Sequence, residues 1–202
     1  MNAQPADISP DKASPTQRVF CPPPARKFVL VSAILASSMG FIDGSVVSLA
    51  MPAIRADLGG TLVDAQGISN SYMLFLSALV LIGGAAGDVF GVRNIFLAGI
   101  GLFMATSLLC ALSPDAETLI LMRALQGIGA ALMVPGSLAI IAKSYPARER
   151  GAAIGTWAAY SSLTTAAGPF LGGMLLSFGQ DWMWRLIFAI NVPIAAPRSR
   201  AG

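Results

Sequence analysis

The chain has 202 residues, of which 55% are hydrophobic and only 11% are charged, and its mean hydropathy is +0.70. Soluble domains carry about 25% charged residues, so this chain lacks the polar surface of a soluble globule and reads as a membrane protein. A net charge of +3 gives no argument for nucleic acid, and the complete lack of histidine excludes every imidazole-based metal site, nucleophile pair and proton shuttle. Cys21 and Cys110 lie far apart in unlike surroundings and suggest neither a disulfide framework nor a zinc site. No serine or cysteine stands beside a base, so a membrane enzyme is not expected, nor is a cofactor or metal.

In chain order, residues 1–27 come first. They hold Pro5, Pro10, Pro15, Pro22, Pro23 and Pro24, charges of both signs and few large apolar residues, the composition of a disordered tail. Apolar runs follow, separated by short polar joints. A spanning helix takes about 20 residues at about 1.5 Å each. Residues 28–54 contain one charge, Asp43; 67–87 and 94–114 contain none; 118–142 contain one, Arg123; 151–180 contain none. These are five full-length spans, and without period-two alternation they do not read as a β-barrel. The sixth candidate, 184–197, is incomplete. Its uncharged stretch, Leu186 to Pro197, has twelve residues, about 18 Å of helix against a hydrocarbon core of about 30 Å. A tail of residues 198–202 ends the sequence. The expected fold is all-α: an N-terminal helical bundle of five full transmembrane helices plus a truncated sixth.

Loop cations orient the bundle. With the N-terminus in the cytoplasm, the inside segments hold Lys12, Arg18, Arg26, Lys27, Arg93, Lys143, Arg148 and Arg150, and the outside loops only Arg55 and Arg185. Within the spans, Gly40 and Gly44, Gly83 and Gly87, and Gly168 and Gly172 are each four apart, a spacing that lets helix backbones approach closely.

Asp43 and Arg123 are the two charges inside the membrane. Each costs about 2.5–3.5 kcal/mol at a helix centre, a cost that calls for a partner, a water-filled cavity or a task. Asp43 lies 15 residues into an outward-running span, roughly 22 Å from the inner edge. Arg123 lies 5 residues into an inward-running span, roughly 8 Å from the outer edge. In a core of about 30 Å the two sit at one depth and make a plausible pair. That pair is either a static register lock or a switch, in which Asp43 exchanges its arginine for a proton or a cationic ligand.

Four stretches now stand in a recognisable order. Asp43-Gly-Ser-Val-Val-Ser-Leu-Ala-Met-Pro52 closes the first span. Gly84-Ala-Ala-Gly-Asp88-Val-Phe-Gly91-Val-Arg93 joins the second and third. Arg123-Ala-Leu-Gln126-Gly127-Ile-Gly129-Ala-Ala131 opens the fourth, and Gly168-Pro169-Phe-Leu-Gly172-Gly173 lies in the fifth. Together they resemble the signature motifs of the major facilitator superfamily, most closely its 14-helix drug/proton antiporter branch. Trp184-Arg185-Leu-Ile-Phe188-Ala-Ile-Asn191-Val-Pro193 is similar to that branch's entry into helix six. The resemblance covers about residues 28–194.

What the resemblance implies is specific. Arg123 takes part in proton coupling with Asp43, and Gln126 and Gly127 belong to the same span-four motif. Gly84, Asp88, Gly91 and Arg93 form a cytoplasmic latch loop, here without the basic residues usual at Val89 and Val92. Asp88 sits at a helix end that disfavours an anion, with Arg93 the nearest compensation along the chain. Lys143, Arg148 and Arg150 are either a solvated positive-inside anchor or a half-copy of the latch motif. Gly168, Pro169, Gly172 and Gly173 form the antiporter hinge, with Thr164 where a glycine often begins the motif. Phe41, Phe75, Trp157 and Tyr160 either line a substrate cavity or pack on lipid.

The expected function follows: the N-terminal part of a proton-coupled multidrug efflux antiporter in a bacterial plasma membrane, inactive alone. Its expected partners are the lipid bilayer, protons, an amphipathic or cationic small molecule, and a missing C-terminal helical bundle against which it rocks. The alternative is a half-size membrane subunit that pairs with another bundle.

Overall fold

The computed structural model describes residues 22–177, 181–189 and 191, and among these it contains helices and no strand. Six α-helices follow one another: α1 Pro23–Leu58, α2 Leu62–Phe90, α3 Val92–Ala111, α4 Ala116–Ser144, α5 Ala147–Leu176 and α6 Trp184–Ala189, the last preceded by one 3-10 turn at Asp181–Met183. Of the expected tail at 1–27, residues 1–21 lie outside the described residues and 23–27 belong to the first helix; most of 190–197 and the tail at 198–202 also lie outside the described residues.

Local chemistry sets the helix ends, and these are not the ends of the apolar runs. α1 starts five residues before Phe28 because Pro23 and Pro24 occupy its first turn, where a missing N–H costs nothing and a fixed φ favours the helix. It stops at Gly59, whose φ of +66° is open mainly to glycine. Thr61 opens α2 through a reciprocal capping box with Asp64. Only Gly91, at φ +91°, separates α2 from α3. α3 ends at Ala111, short of Pro114, before which helical backbone is disfavoured.

Asp115 caps α4 by accepting the Thr118 backbone N–H at 2.7 Å. That bond holds its carboxyl below the usual carboxylate range. The cap's contribution is therefore present above the ordinary carboxylate pKa and is lost as pH falls through the lowered value. In an acid titration, the protection of the Thr118 amide, referred to its intrinsic exchange rate at each pH, is expected to fall at the lowest pH. In Asp115→Asn, which keeps the cap but cannot protonate, this acid step should disappear.

α1 to α4 are each long and apolar enough to cross a membrane. α5, at 30 residues, has the length but is less apolar, because Thr156, Ser161, Ser162, Thr164 and Thr165 interrupt it. Several of these hydroxyls donate back to their own helix: Thr156 to the Ala152 carbonyl at 2.8 Å and Thr165 to the Ser161 carbonyl at 3.0 Å. This satisfies them where water is absent.

α4 is the central helix. It packs on α2 and α3, while α1 packs on α5 and α4, and α6 lies against α3 and α1. The end of the bundle carrying the start of α1 is its near end, and the end carrying Gly59 is its far end. Three buried layers stack between them: Val46, Ala50, Ile54, Leu119, Trp184 and Phe188 at the far end; Met39, Tyr72, Phe103 and Met133 in the middle; Ala33, Ile141 and Ala153 at the near end.

Glycine allows the tightest crossings. A Cβ at Gly83 would stand 2.2 Å from the Ala131 carbonyl oxygen, and one at Gly127 would stand 2.5 Å from that of Tyr72. Gly99 and Gly129 face each other across α3 and α4 in the same way. Gly40 and Gly44 differ. Gly40 has only the Tyr72 hydroxyl and a Met133 methyl near it, and Gly44 has open space, so that pair mediates no close helix contact within the bundle.

Arg185 ties the far end together. Its guanidinium donates to the Ala111 and Ser113 carbonyls at 2.9 and 2.8 Å and to Asp57 at 3.1 Å, and Asp57 also accepts the Trp184 indole N–H at 3.0 Å. Carbonyls at the end of α3 that lack intrahelical partners are thereby satisfied, and α6 is fastened to both α1 and α3.

Candidate functional site

Asp43 on α1 and Arg123 on α4 are each 1% exposed. The Arg123 Nη1 donates to one Asp43 carboxylate oxygen and also to the Gln126 side-chain oxygen at 2.7 Å. The Gln126 Nε2 donates to the other Asp43 oxygen at 3.1 Å. Gln126 follows Arg123 by three residues, so both reach from one face of α4. The result is a closed triangle in which both carboxylate oxygens are occupied.

The other helices complete the arginine's surroundings. From α2, the Ile68 carbonyl accepts Arg123 Nε at 3.4 Å, and the Tyr72 ring lies under the guanidinium, 4.2 Å from its carbon. From α6, the Phe188 ring lies 5.8 Å away. From α3, the Cys110 thiol points at Gln126, 3.7 Å from its oxygen. Five helices thus converge on one ion pair. Each of these arginine partners except Asp43 is neutral. If the carboxylate is neutralised, Arg123 keeps an amide oxygen, a carbonyl and two aromatic faces, each a favourable partner for a cation.

Tyr72 and Ile68 are absent from the residues singled out by sequence, and Phe188 and Cys110 are named there without a place beside the ion pair. The available signal was Ser69-Asn70-Ser71-Tyr72, a polar group inside an otherwise apolar run. Of the aromatics considered as cavity lining, Phe41, Phe75 and Tyr160 are 38%, 37% and 55% exposed. Trp157 instead donates to Ser37 at 3.1 Å, which in turn donates to Ser137 at 3.0 Å. A second buried polar layer therefore links α1, α4 and α5.

The loop residues occupy the near end. Asp88 is exposed, and its nearest cation is Lys143 of α4 at 3.9 Å. The local compensation expected from Arg93 is replaced by a cross-helix partner, because Gly91 turns the chain and starts α3 before Arg93. A Cβ at Gly84 would stand 3.8 Å from that of Pro135, and Gly91 takes its left-handed backbone. Glu149 pairs with Arg26 of α1 at 3.4 Å.

The glycine-proline stretch of α5 packs on α1 directly beyond Asp43. A Cβ at Gly168 would stand 2.1 Å from the Ser45 hydroxyl, one at Gly172 2.7 Å from a Val46 methyl, and one at Gly173 3.8 Å from a Leu49 methyl. Pro169 sits inside α5 and removes one backbone donor there. The helix that carries the carboxylate thus packs against a glycine-rich, proline-interrupted face.

Comparison with known proteins is consistent with this arrangement. A family model described as Major Facilitator Superfamily matches residues 33–197. A probable actinorhodin transporter of Streptomyces coelicolor is 38% identical over 95% of this chain and 34% of its own length. A methylenomycin A resistance protein of Bacillus subtilis is 40% identical over 83% of this chain and 36% of its own. The chain spans about a third of the length of these curated relatives. Among solved structures, a bacterial homolog of the human lysosomal transporter Spinster, inward-facing and unoccupied, matches with a TM-score of 0.71 at 23% identity. The match covers 87% of this chain and 42% of that one.

Proposed function

The chain belongs to the major facilitator superfamily and is a multi-pass membrane protein; from that premise we propose that it is the N-terminal bundle of a proton-coupled drug exporter. The observation that carries this reading is the buried triangle of Asp43, Arg123 and Gln126. The names of the relatives, an antibiotic transporter and a resistance protein, support a small-molecule antibiotic as the substrate class, here taken as an amphipathic or cationic compound.

In this reading the near end faces the cytoplasm of a bacterial cell, as the loop cations favour. A proton arriving from the far side neutralises Asp43. Arg123 stays in its cage of Gln126, Ile68 and Tyr72 but no longer holds α1 to α4. α1 is then free to shift along the glycine face of α5 at Gly168 and Gly172, with Pro169 and Gly173 giving that face its irregularity. Release of the proton on the cytoplasmic side restores the ion pair. Asp88 with Lys143, together with Gly84, Gly91 and Arg93, closes the near end in one of the two states. Rocking of this kind needs a second bundle to work against, so the 202-residue chain by itself is proposed to be inactive.

The test uses inverted vesicles carrying the intact transporter of which this bundle is part. Added drug is expected to drive proton release from acidified vesicles. Asp43→Asn should cut that coupled flux by about a hundredfold or more while drug binding persists. Unchanged coupled flux in Asp43→Asn would remove the proposal and leave the pair as a register lock.

A further inference from the structure

We propose that Gln126 is the positioning residue of this site: it keeps one oxygen of the Asp43 carboxyl in both protonation states, so that the proton and Arg123 compete for the other. This rests on the exchange proposed above and names the atom at which it occurs. The orientation of the Gln126 amide is set by its neighbours. The side chain is fully buried. A guanidinium has donors and no acceptor, so the Gln126 atom that Arg123 Nη1 meets at 2.7 Å is the oxygen. The Cys110 thiol of α3 points at the same oxygen from 3.7 Å. Oε1 is thereby held from α3 and α4, and Nε2 is left facing Asp43, where it donates to Oδ1 at 3.1 Å. Turning the amide over would set its N–H groups against both donors.

The two donors on the carboxylate differ in what they can lose. Arg123 Nη1 carries two hydrogens, one directed at Asp43 Oδ2 and one at Gln126 Oε1. Without Oδ2, the guanidinium still has Gln126 Oε1, the Ile68 carbonyl and the face of Tyr72. Gln126 Nε2 has Oδ1 as its one acceptor among the described hydrogen bonds. A buried N–H stripped of its acceptor carries its full desolvation penalty. The carbonyl oxygen of a neutral carboxyl accepts well and the hydroxyl oxygen poorly, so on protonation one donor must yield. The donor with other partners is Arg123.

The step balances as follows. Hydronium from the far side gives its proton to Oδ2 and leaves water. The O–H bond forms, the Nη1 hydrogen bond to Oδ2 opens, Arg123 keeps its own protons, and the pair passes from net zero to a single positive charge. Oδ1 becomes the carbonyl oxygen and stays on Gln126 Nε2. The other groups packed around the pair are uncharged: Tyr72 of α2, whose hydroxyl donates to the Gly40 carbonyl at 3.5 Å, the Cys110 thiol of α3, Phe188 of α6, and Gly168 of α5 against Ser45. α1 is then tethered to α4 by one neutral hydrogen bond in place of a charge-assisted one about twice as strong. It can shift on α5 and still return to register. Without Gln126 both oxygens are open to the proton, and Arg123 can remain on the carbonyl oxygen while the other is protonated.

The experiment compares infrared difference spectra, high pH against low, of the reconstituted native chain and of Gln126→Met, which keeps the length of the side chain and lacks its N–H. In the native chain the Asp43 carboxyl band should lie at the lowered wavenumber of a hydrogen-bonded C=O and should rise together with a shift of the guanidinium bands. In Gln126→Met the carboxyl band should persist while most of the guanidinium shift is lost, a separation that a merely packing side chain would not produce. A full guanidinium shift in Gln126→Met would overturn the proposal. So would a native carboxyl band at the wavenumber of a free C=O, which is read without any variant and decides the matter even if Gln126→Met does not fold. The lack of any Asp43 band in the native chain is a distinct result: it removes the exchange itself, and this assignment with it.

Discussion

Arg123→Ala is expected to destabilise the bundle by about 3–5 kcal/mol, the cost of leaving a buried charge without its partner. Asp43 would keep only the Gln126 amide at 3.1 Å, in a site that is 1% exposed. Asp43→Asn should cost clearly less, because Arg123 retains Gln126, the Ile68 carbonyl and the Tyr72 ring. The double variant should be less damaged than the sum of the two, since the coupling is lost once either partner is gone. Unfolding free energies in mixed dodecylmaltoside–SDS micelles measure all three. Equal losses for the two single variants would show that Asp43 does not depend on Arg123 for its burial, contrary to the closed triangle.

Gly83→Ala is expected to be the most damaging single-methyl change in the chain. The added Cβ would stand 2.2 Å from the Ala131 oxygen, 2.9 Å from its carbonyl carbon and 3.2 Å from the Leu132 Cα. All three are backbone atoms of α4, so no side-chain rotation relieves the contact and α2 must move off α4. Overpacking of this kind costs about 1–3 kcal/mol. It should also reach the site, because α2 carries the Ile68 carbonyl and the Tyr72 ring that hold Arg123. Gly44→Ala and Gly101→Ala, where nothing lies within 4 Å, should stay within about 0.5 kcal/mol of the parent. Comparable losses at Gly83 and Gly44 would contradict this reading, because helix propensity favours alanine at both positions and only the approach of α4 distinguishes them.

The ion pair could be read from sequence because helix rise is constant. Counting residues from each span edge put Asp43 and Arg123 at one depth, and the two side chains are in contact. The cage around them could not be read in this way. Hydropathy counts Tyr72 and Phe188 as apolar filler, and the Ile68 contribution is a backbone carbonyl that no side-chain pattern reveals. Helix ends were displaced for a related reason. Hydropathy marks where the membrane core begins, whereas Pro23, Gly59 and Gly91 mark where backbone hydrogen bonding starts and stops. Spacing of four within one helix singled out Gly40 and Gly44, which touch little. The close crossing of Gly99 with Gly129 joins two helices, and no single-helix period contains it. Lys143 beside Asp88 is likewise a long-range pairing, invisible where only Arg93 lies nearby along the chain.

The proposed exchange at Asp43 of Arg123 for a proton has a spectroscopic signature. Infrared difference spectroscopy of the reconstituted 202-residue chain tests it directly, by recording the carboxylic-acid C=O stretch as pH is lowered and restored. A reversible protonated-carboxyl band that is absent in Asp43→Asn is expected, accompanied by a shift of the guanidinium bands that is absent in Arg123→Lys. No Asp43-dependent band at any pH at which the helices remain folded would contradict it, and would identify the pair as a fixed brace between α1 and α4.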